Sequence, residues 1–202
     1  MVRLALLLIL FVFSHYSYSN SYKYQTISFD PLNKGSLVNS VVEFDLNYQV
    51  ATCKQQKEIL GMSECKGPIP VIRIQDYVDD VYICDKELLK MICLVHNNFS
   101  FSFPLDNRLS ENSWIFNEVD YKVIDSSFEL EIFGMSINSY IIHAKGKNSE
   151  TIFFFSKKMG LLAYAYPREQ NGEKLLKTYY LSSEKGFGHE QSGSAGRTKL
   201  SD

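Results

Sequence analysis

The chain has 202 residues, 45% of them hydrophobic, with 21 Lys and Arg against 23 Asp and Glu. That length suits one domain with an ordinary core. The near-balanced charge offers no basic patch or stripe of the kind that nucleic-acid binding needs.

Residues Met1 to Ser19 combine one early cation, Arg3, an apolar core from Leu4 to Phe13, and small polar residues in which Ser17 and Ser19 bracket Tyr18. This is the pattern of a cleaved secretory signal peptide. Its apolar core of about ten residues is too short to span a bilayer, and no stop-transfer pattern follows. Cleavage after Ser19 leaves 183 of the 202 residues; losing Arg3 leaves 20 basic against 23 acidic side chains, a net charge of −3. The expected location is secreted or periplasmic, with no transmembrane anchor on the mature chain.

From Tyr22 to Asp30 the sequence alternates loosely, as an edge strand or a flexible lead-in would, and Pro31, Asn33 and Gly35 mark a turn. Val42, Phe44, Leu46, Tyr48 and Val50 then alternate with Glu43, Asp45, Asn47 and Gln49, the pattern of a half-buried antiparallel strand. Lys54 to Leu60 reads as about two helical turns ending at Gly61. Val71 to Gln75 and Tyr77 to Cys84 read as strands interrupted by Asp76, Asp79 and Asp80.

Cys53, Cys65, Cys84 and Cys93 all lie in the first half of the chain. An even count in an exported chain favours disulfides, and four cysteines allow three connectivities. The sequential pairing, Cys53 with Cys65 and Cys84 with Cys93, closes two short loops and is preferred. Neither spacing is CxxC and the histidines are scattered, so a metal centre is not expected. Asp85 is a candidate N-cap for a helix through Leu88, Leu89, Met91 and Ile92. A continuous helix would hold Cys84 and Cys93 about 13 Å apart, whereas a bridge needs Cα atoms within roughly 7 Å. A bent loop or a short turn of helix between strands ending in the two cysteines resolves the conflict.

Phe99, Phe101 and Phe103 alternate with Ser100 and Ser102 up to Pro104, a short strand, and Asn107 to Ser113 reads as a polar loop before Trp114. Tyr121 to Ile124 and Phe128 to Ile132 read as two strands, the second stopped by Gly134, and Asn138 to Lys145 as a third. Gly146 to Ser149 supplies turn chemistry. Ile152 to Ser156, a basic turn at Lys157 to Gly160, Leu161 to Tyr166, a polar loop with Pro167, Asn171 and Gly172, and Leu175 to Leu181 complete a meander. The short connections force antiparallel neighbours. The fold class expected is mainly β, with α+β as the variant: an antiparallel meander, sandwich or half-barrel with one or two short helices and two disulfides. Residues 20–188 form the single domain. From 189 to 202 only Ala195 and Leu200 are aliphatic, so a flexible polar tail is expected.

No GxSxG, DxDxDG or cofactor motif is present, and no stretch carries a signature specific enough to name a family. His96 and His143 are the histidines in the folded part. His143 shares a strand face with Ile141 and Lys145 and reads as a sheet histidine. Asp76, Asp79, Asp80 and Asp85 read as a solvated turn, Glu129 and Glu131 as the polar face of a strand, and Lys157 with Lys158 as charges that guard an apolar strand against edge pairing. Asn98-Phe99-Ser100 is a glycosylation sequon if the source is a eukaryote.

The remaining signal is aromatic. Phe153, Phe154, Phe155, Tyr164, Tyr166, Tyr179 and Tyr180 crowd three consecutive strands, and Phe154 must point away from Phe153 and Phe155. Both sheet faces are therefore apolar there. Each needs a covering layer, or one of them receives a partner or an apolar ligand. The reading that follows is an exported, non-enzymatic protein without cofactor that binds an envelope or extracellular protein, or an apolar ligand, on this surface. The alternative is a secreted hydrolase whose site uses His96 or His143 with carboxylates.

Overall fold

The computed structural model describes residues 21–30, 36–48, 53–61, 63–64, 67, 69–97, 99–170 and 173–189. Strands β1 (Ser21–Asp30) and β2 (Ser36–Tyr48) precede a helix, α1 (Cys53–Leu60). β3 (Ile69–Ile74), β4 (Tyr77–Asp80) and β5 (Tyr82–Ile83) lead to a single helical turn, α2 (Lys86–Leu89), followed by β6 (Met91–His96) and β7 (Phe99–Pro104). After a 3-10 turn at Asn107–Glu111 come β8 (Ser113–Phe116), β9 (Val119–Ile132), β10 (Met135–Lys145), β11 (Glu150–Ser156), β12 (Gly160–Gln170) and β13 (Glu173–Leu181).

Among the described residues, ten strands form one sheet in the order β4-β3-β2-β1-β13-β12-β11-β10-β9-β8, and β5-β6-β7 form a second. All pairings are antiparallel. The fold is mainly β, as the alternating patterns predict. The large sheet is two meanders joined at a seam where the first strand, β1, meets the last, β13, through Tyr24↔Leu181 and Gln25↔Tyr180. Residues 21–30 are therefore neither an edge strand nor a lead-in. Their own alternation carries no sign of this, because the flank they need is supplied by residues more than 150 positions away.

Local chemistry sets the hairpins. Asn117 and Glu118 take φ of 50° and 58° between β8 and β9, and Phe133 and Gly134 take 54° and 71° between β9 and β10. Two successive positive φ values give the tight turn whose twist matches the flanking strands. β9 runs unbroken through the Asp125-Ser126-Ser127 stretch that separates two strands in the sequence reading. A register shift against β10 absorbs the irregularity, with Asp125 Oδ1 accepting from Ser127 N at 2.8 Å. β12 likewise continues through Pro167, which faces Leu176, so the expected polar loop shrinks to the two residues between Gln170 and Glu173.

The small sheet lies against one face of the large one, and aromatic side chains fill the space between them. Phe99 of β7 meets Phe153 and Tyr164 with ring centroids 5.7 and 5.1 Å apart, Phe101 meets Phe153 and Phe155 at 5.1 and 5.5 Å, and Phe103 meets Phe155 at 4.3 Å. Their offset and edge-on geometries suit the ring quadrupoles. Polar tips inside this layer are satisfied: Trp114 Nε1 donates to Ser102 Oγ at 2.8 Å, and Tyr121 Oη donates to Ser100 O at 2.9 Å. Tyr24 Oη donates to Leu161 O at 2.9 Å and accepts from Phe187 N at 3.1 Å. Burial pushes the Tyr24 and Tyr164 phenols well above their ordinary range, so both stay neutral hydrogen-bonding groups.

The chain crosses from the large sheet to the small one through a single residue, Val81, whose N–H donates to Pro70 O at 3.0 Å. Cys84 and Cys93 face each other where β5 meets β6, with Cα atoms 5.2 Å apart and a disulfide between them. The expected bend is a single turn, α2. Asp85 caps it by accepting from Glu87 N and Leu88 N, and Lys90 ends it with φ of 48°. Cys65 lies outside the described residues, and with it the expected Cys53–Cys65 pair. α1 ends at Gly61, with φ of 63° and its N–H donating to Lys57 O, as the sequence predicts.

After β13 the chain turns back under the β11–β12 hairpin. Gly186 N donates to Met159 O and Leu161 N to Phe187 O, both at 2.8 Å. A Cβ at Gly160 would stand 2.3 Å from Gly186 O, and one at Gly186 would stand 2.0 Å from Leu161 O. Only glycine fits either position. Phe187 is thereby held in the core against Tyr22 and Phe101. His189, the last described residue, packs on Tyr22; the rest of the expected tail lies outside the described residues.

If the two-layer aromatic packing dominates stability, Phe101→Ala should cost about 3–5 kcal/mol in urea unfolding. Ile115→Ala, on the exposed edge strand, should change it by less than about 0.5 kcal/mol. Equal midpoints for the two variants would contradict this layering. Reduction of Cys84–Cys93 should lower stability by about 2–3 kcal/mol through the freed loop entropy of the unfolded chain. That is checked by comparing unfolding with and without reductant.

Candidate functional site

Strand register places the seven aromatic positions on two sides of the sheet. Phe153 faces Tyr164, which faces Tyr179, all toward the small sheet, and Phe155 joins them there. Those four are buried by the protein's own second layer. Tyr164, Tyr179 and Tyr166 stack in a column with centroid separations of 5.0 and 6.1 Å, and Lys177 Nζ lies 5.2 Å over the Tyr179 ring. Tyr166 is half-buried at the end of this column.

Phe154 and Tyr180 point the other way. Following directly opposed residues across the sheet, the outward face carries Ile141, Phe154, Ala163, Tyr180, Gln25 and Val41 in one continuous row from β10 to β2. Phe128 extends it, its ring 5.9 Å from that of Phe154. Tyr180 is 50% exposed and Val41 41%. Gln25 is the one polar residue in six. The adjacent outward row on β1, β2 and β3 is charged instead: Glu43 lies 3.7 Å from Lys23 Nζ and 3.9 Å from Arg73 Nη1. The outward face is thus divided into an apolar band and an ion-paired band. Ala163 is fully buried and Ile141 and Phe154 are half-buried, so the exposed apolar groups of the row are Tyr180, Val41 and Phe128. Apolar groups gathered on one sheet face mark a surface that another molecule can cover.

His96 and His143 each find a carboxylate. His96 Nε2 is 3.0 Å from Asp79 Oδ2, and Asn97 Nδ2 is 3.0 Å from the same ring nitrogen. Tyr77 Oη donates to Asp79 Oδ2 at 2.5 Å. Tyr77 and Asp79 stand on β4, an edge of the large sheet, and His96 ends β6, so this cluster ties the tip of the small sheet to that edge. The Tyr77 hydroxyl first, then His96 and the Asp80 N–H, hold the Asp79 carboxyl down to about 2 against an opposing effect of burial. The same bond raises the Tyr77 phenol. His143 Nε2 is 2.6 Å from Glu150 Oε1 on the outward face. Among the described residues no Ser, Thr or Cys side chain hydrogen-bonds to either histidine. Each of these two histidines thus has a carboxylate partner, and among the described residues no hydroxyl or thiol nucleophile touches it.

The other polar candidates are accounted for locally. Asp85 caps α2, Lys157 Nζ lies 5.8 Å over the Tyr140 ring, and Glu129 accepts from Ser136 Oγ at 3.3 Å. Among the described residues no group of three or more His, Cys, Asp or Glu is placed to hold a metal ion, and no helix is long and apolar enough to cross a membrane. Asn98 of the sequon lies outside the described residues. The outward row could be read only in part from sequence: alternation marks Phe154 as opposed to Phe153, but register alone joins it to Tyr180 and Val41. Asp79 and His96, 17 residues apart, carried no shared signal. Comparison of the chain with protein-family models, curated proteins and solved structures found no match.

The Asp79 cluster has a testable acid limb. A carboxyl whose folded value lies below its unfolded one adds stability that is complete above the unfolded value, about 3.9. That stability is lost as pH falls toward about 2, the folded value. Asp79→Asn should therefore flatten the pH dependence of the melting temperature between those limits. Parallel melting curves of variant and parent throughout the acid range would remove Asp79 from this role.

Proposed function

We propose that the protein is an exported, non-catalytic binding protein that docks a protein partner on its outward aromatic row. Phe154 and Tyr180 stand at the centre of that row. The observation that carries the reading is the register: Ile141, Phe154, Ala163 and Tyr180 lie directly opposed on one sheet face, with Ala163 buried between the half-buried Phe154 ring and Tyr180, which is half exposed. Tyrosine and phenylalanine are residues on which interface energy concentrates. An open sheet face suits another protein's surface better than a small apolar ligand, which is held in concave sites. Phe153, Phe155, Tyr164 and Tyr179 support the row from behind as the packed inner layer of the same strands. Export rests on the leader-like pattern of Met1 to Ser19 and is in keeping with the Cys84–Cys93 disulfide. Under this reading residues 20–188 are the working domain in the periplasm or extracellular space, and 189–202 a polar tail.

A photo-crosslinking residue at position 180 should trap a protein adduct of defined mass in the secreting cell, and Phe154→Ser should abolish it. The same probe at Lys23, in the ion-paired band, should give none. Adducts of equal yield at both positions, or at neither, would defeat the assignment.

A second reading, hydrolysis at His96 backed by Asp79, draws on their 3.0 Å hydrogen bond. It requires a hydrolytic activity in the purified protein that His96→Ala abolishes and His143→Ala leaves intact.

A further inference from the structure

Strands β9 and β10 run on past the rest of the large sheet. β8 pairs with β9 only from Val119 to Lys122, and β11 pairs with β10 only from Tyr140 to Lys145. Beyond those points the two strands pair with each other, from Phe128↔Ser139 to Ile132↔Met135, and turn at Phe133 and Gly134. Among the described residues no other strand pairs with this part of β9. The arm is anchored, because Ile132 is buried and Leu130 and Ile137 pack against the core. Phe133 and Met135, 57% and 50% exposed, close its end.

The pairing fixes which backbone groups the edge presents. Residues flanking a two-residue hairpin turn exchange both ladder hydrogen bonds, and bonded and non-bonded positions alternate from there. Phe128, Leu130 and Ile132 therefore direct their N–H and C=O groups to β10, while those of Glu129 and Glu131 point to where a next strand would lie. Both glutamates are exposed and share a strand face. With Asp125 they are the only charged residues from Ile124 to Ile142. Among the described residues no cation pairs with any of these carboxylates. Cations on neighbouring elements are engaged elsewhere: Arg108, on the 3-10 turn before β8, holds Asp106 and donates to Leu89 O and Lys90 O. Lys157, beside Lys158 on the β11–β12 turn, lies over the Tyr140 ring, and Lys122 and Lys145 stand at the base of the arm opposite His143 and Glu150.

A free edge of this kind is where a further strand is added, and its charge selects the strand. A second copy pairing edge to edge would set glutamate against glutamate, and like charges directly opposed destabilise a ladder. Residues opposite Glu129 and Glu131 share their sheet face, whereas the residue between falls opposite Leu130. We propose that the outer edge of β9 takes up an extended segment of a protein partner, with Lys or Arg at alternate positions against Glu129 and Glu131 and an apolar residue between them. The edge adjoins the outward row through Phe128 but does not need it, so either can fail without the other.

The test uses the disulfide-intact protein and fluorescent heptapeptides: lysine alternating with valine, glutamate alternating with valine, and the first composition with its lysines grouped at one end. The alternating lysine peptide should bind, seen as a rise in anisotropy, and the glutamate peptide should not. Amide hydrogen exchange at Glu129 and Glu131 should slow on binding while that at Leu130 stays as it was. Glu131→Lys, at an exposed site with little bearing on folding, should weaken binding about tenfold by turning an attractive opposed pair into a repulsive one. Tyr180→Ser should leave binding unchanged. Absence of binding by the alternating lysine peptide would overturn the proposal. Equal binding of the grouped-lysine peptide would overturn it by reducing the contact to unspecific charge attraction, and loss of binding in Tyr180→Ser by moving the peptide to the outward row.

Discussion

Everything in this fold rests on covering one aromatic face of a wide sheet. Strands β10 to β13, with β1 and β2, present Phe153, Phe155, Tyr164, Tyr179, Tyr24 and Phe44 to the same side, and such a surface cannot remain in water. The β6–β7 hairpin answers it with Phe99, Phe101 and Phe103. Hydrophobic burial has no direction of its own. The register therefore comes from elsewhere: the tight turns, the Trp114–Ser102 and Tyr121–Ser100 hydrogen bonds, and the Asp79–His96 tie at the hairpin tip. Each polar contact sits at the rim or within the aromatic layer and decides which of several similar packings is adopted.

Much of this was legible in the residues and some was not. Period-two alternation marked β2, β7, the second half of β9 and β10 directly, because a strand with one wet face must alternate. The Cys84–Cys93 pair predicted its own geometry, since no straight helix can join cysteines nine apart. What sequence could not supply was assignment to layers. Met91 to Val95 is a continuous apolar run, and such a run carries no information about which sheet it joins or which side it covers. The central position of β1 was hidden for the same reason that the outward row was hidden: both are made by partners distant in sequence. Phe154 showed that two faces were apolar; only the register between β11, β12 and β13 shows that one is a core and the other a surface.

That division also gives the exposed features their meaning. A sheet buried on one side by the protein itself can present its second side without losing its shape, so Tyr180 and Phe154 stand on a rigid backing. The α2 turn reaches the same condition by different means, with a disulfide, an aspartate cap and an arginine on two carbonyls in place of a packed layer. The molecule therefore displays apolar groups in two settings, a broad band fixed by sheet hydrogen bonds and a narrow tip fixed by cross-links.

The seam between β1 and β13 has a consequence in time. Contacts across it join residues near the start of the domain to residues near its end, as do the Tyr24 hydroxyl bonds to Leu161 and Phe187. Such long loops must close before the contacts can form. A chain emerging from a ribosome can build its hairpins early but cannot complete the large sheet until Leu181 has appeared, nor set Gly186 against Gly160 until a few residues later. The last of these strands to be made is the one that pairs with the first, so the ten-strand sheet is complete only when both are present.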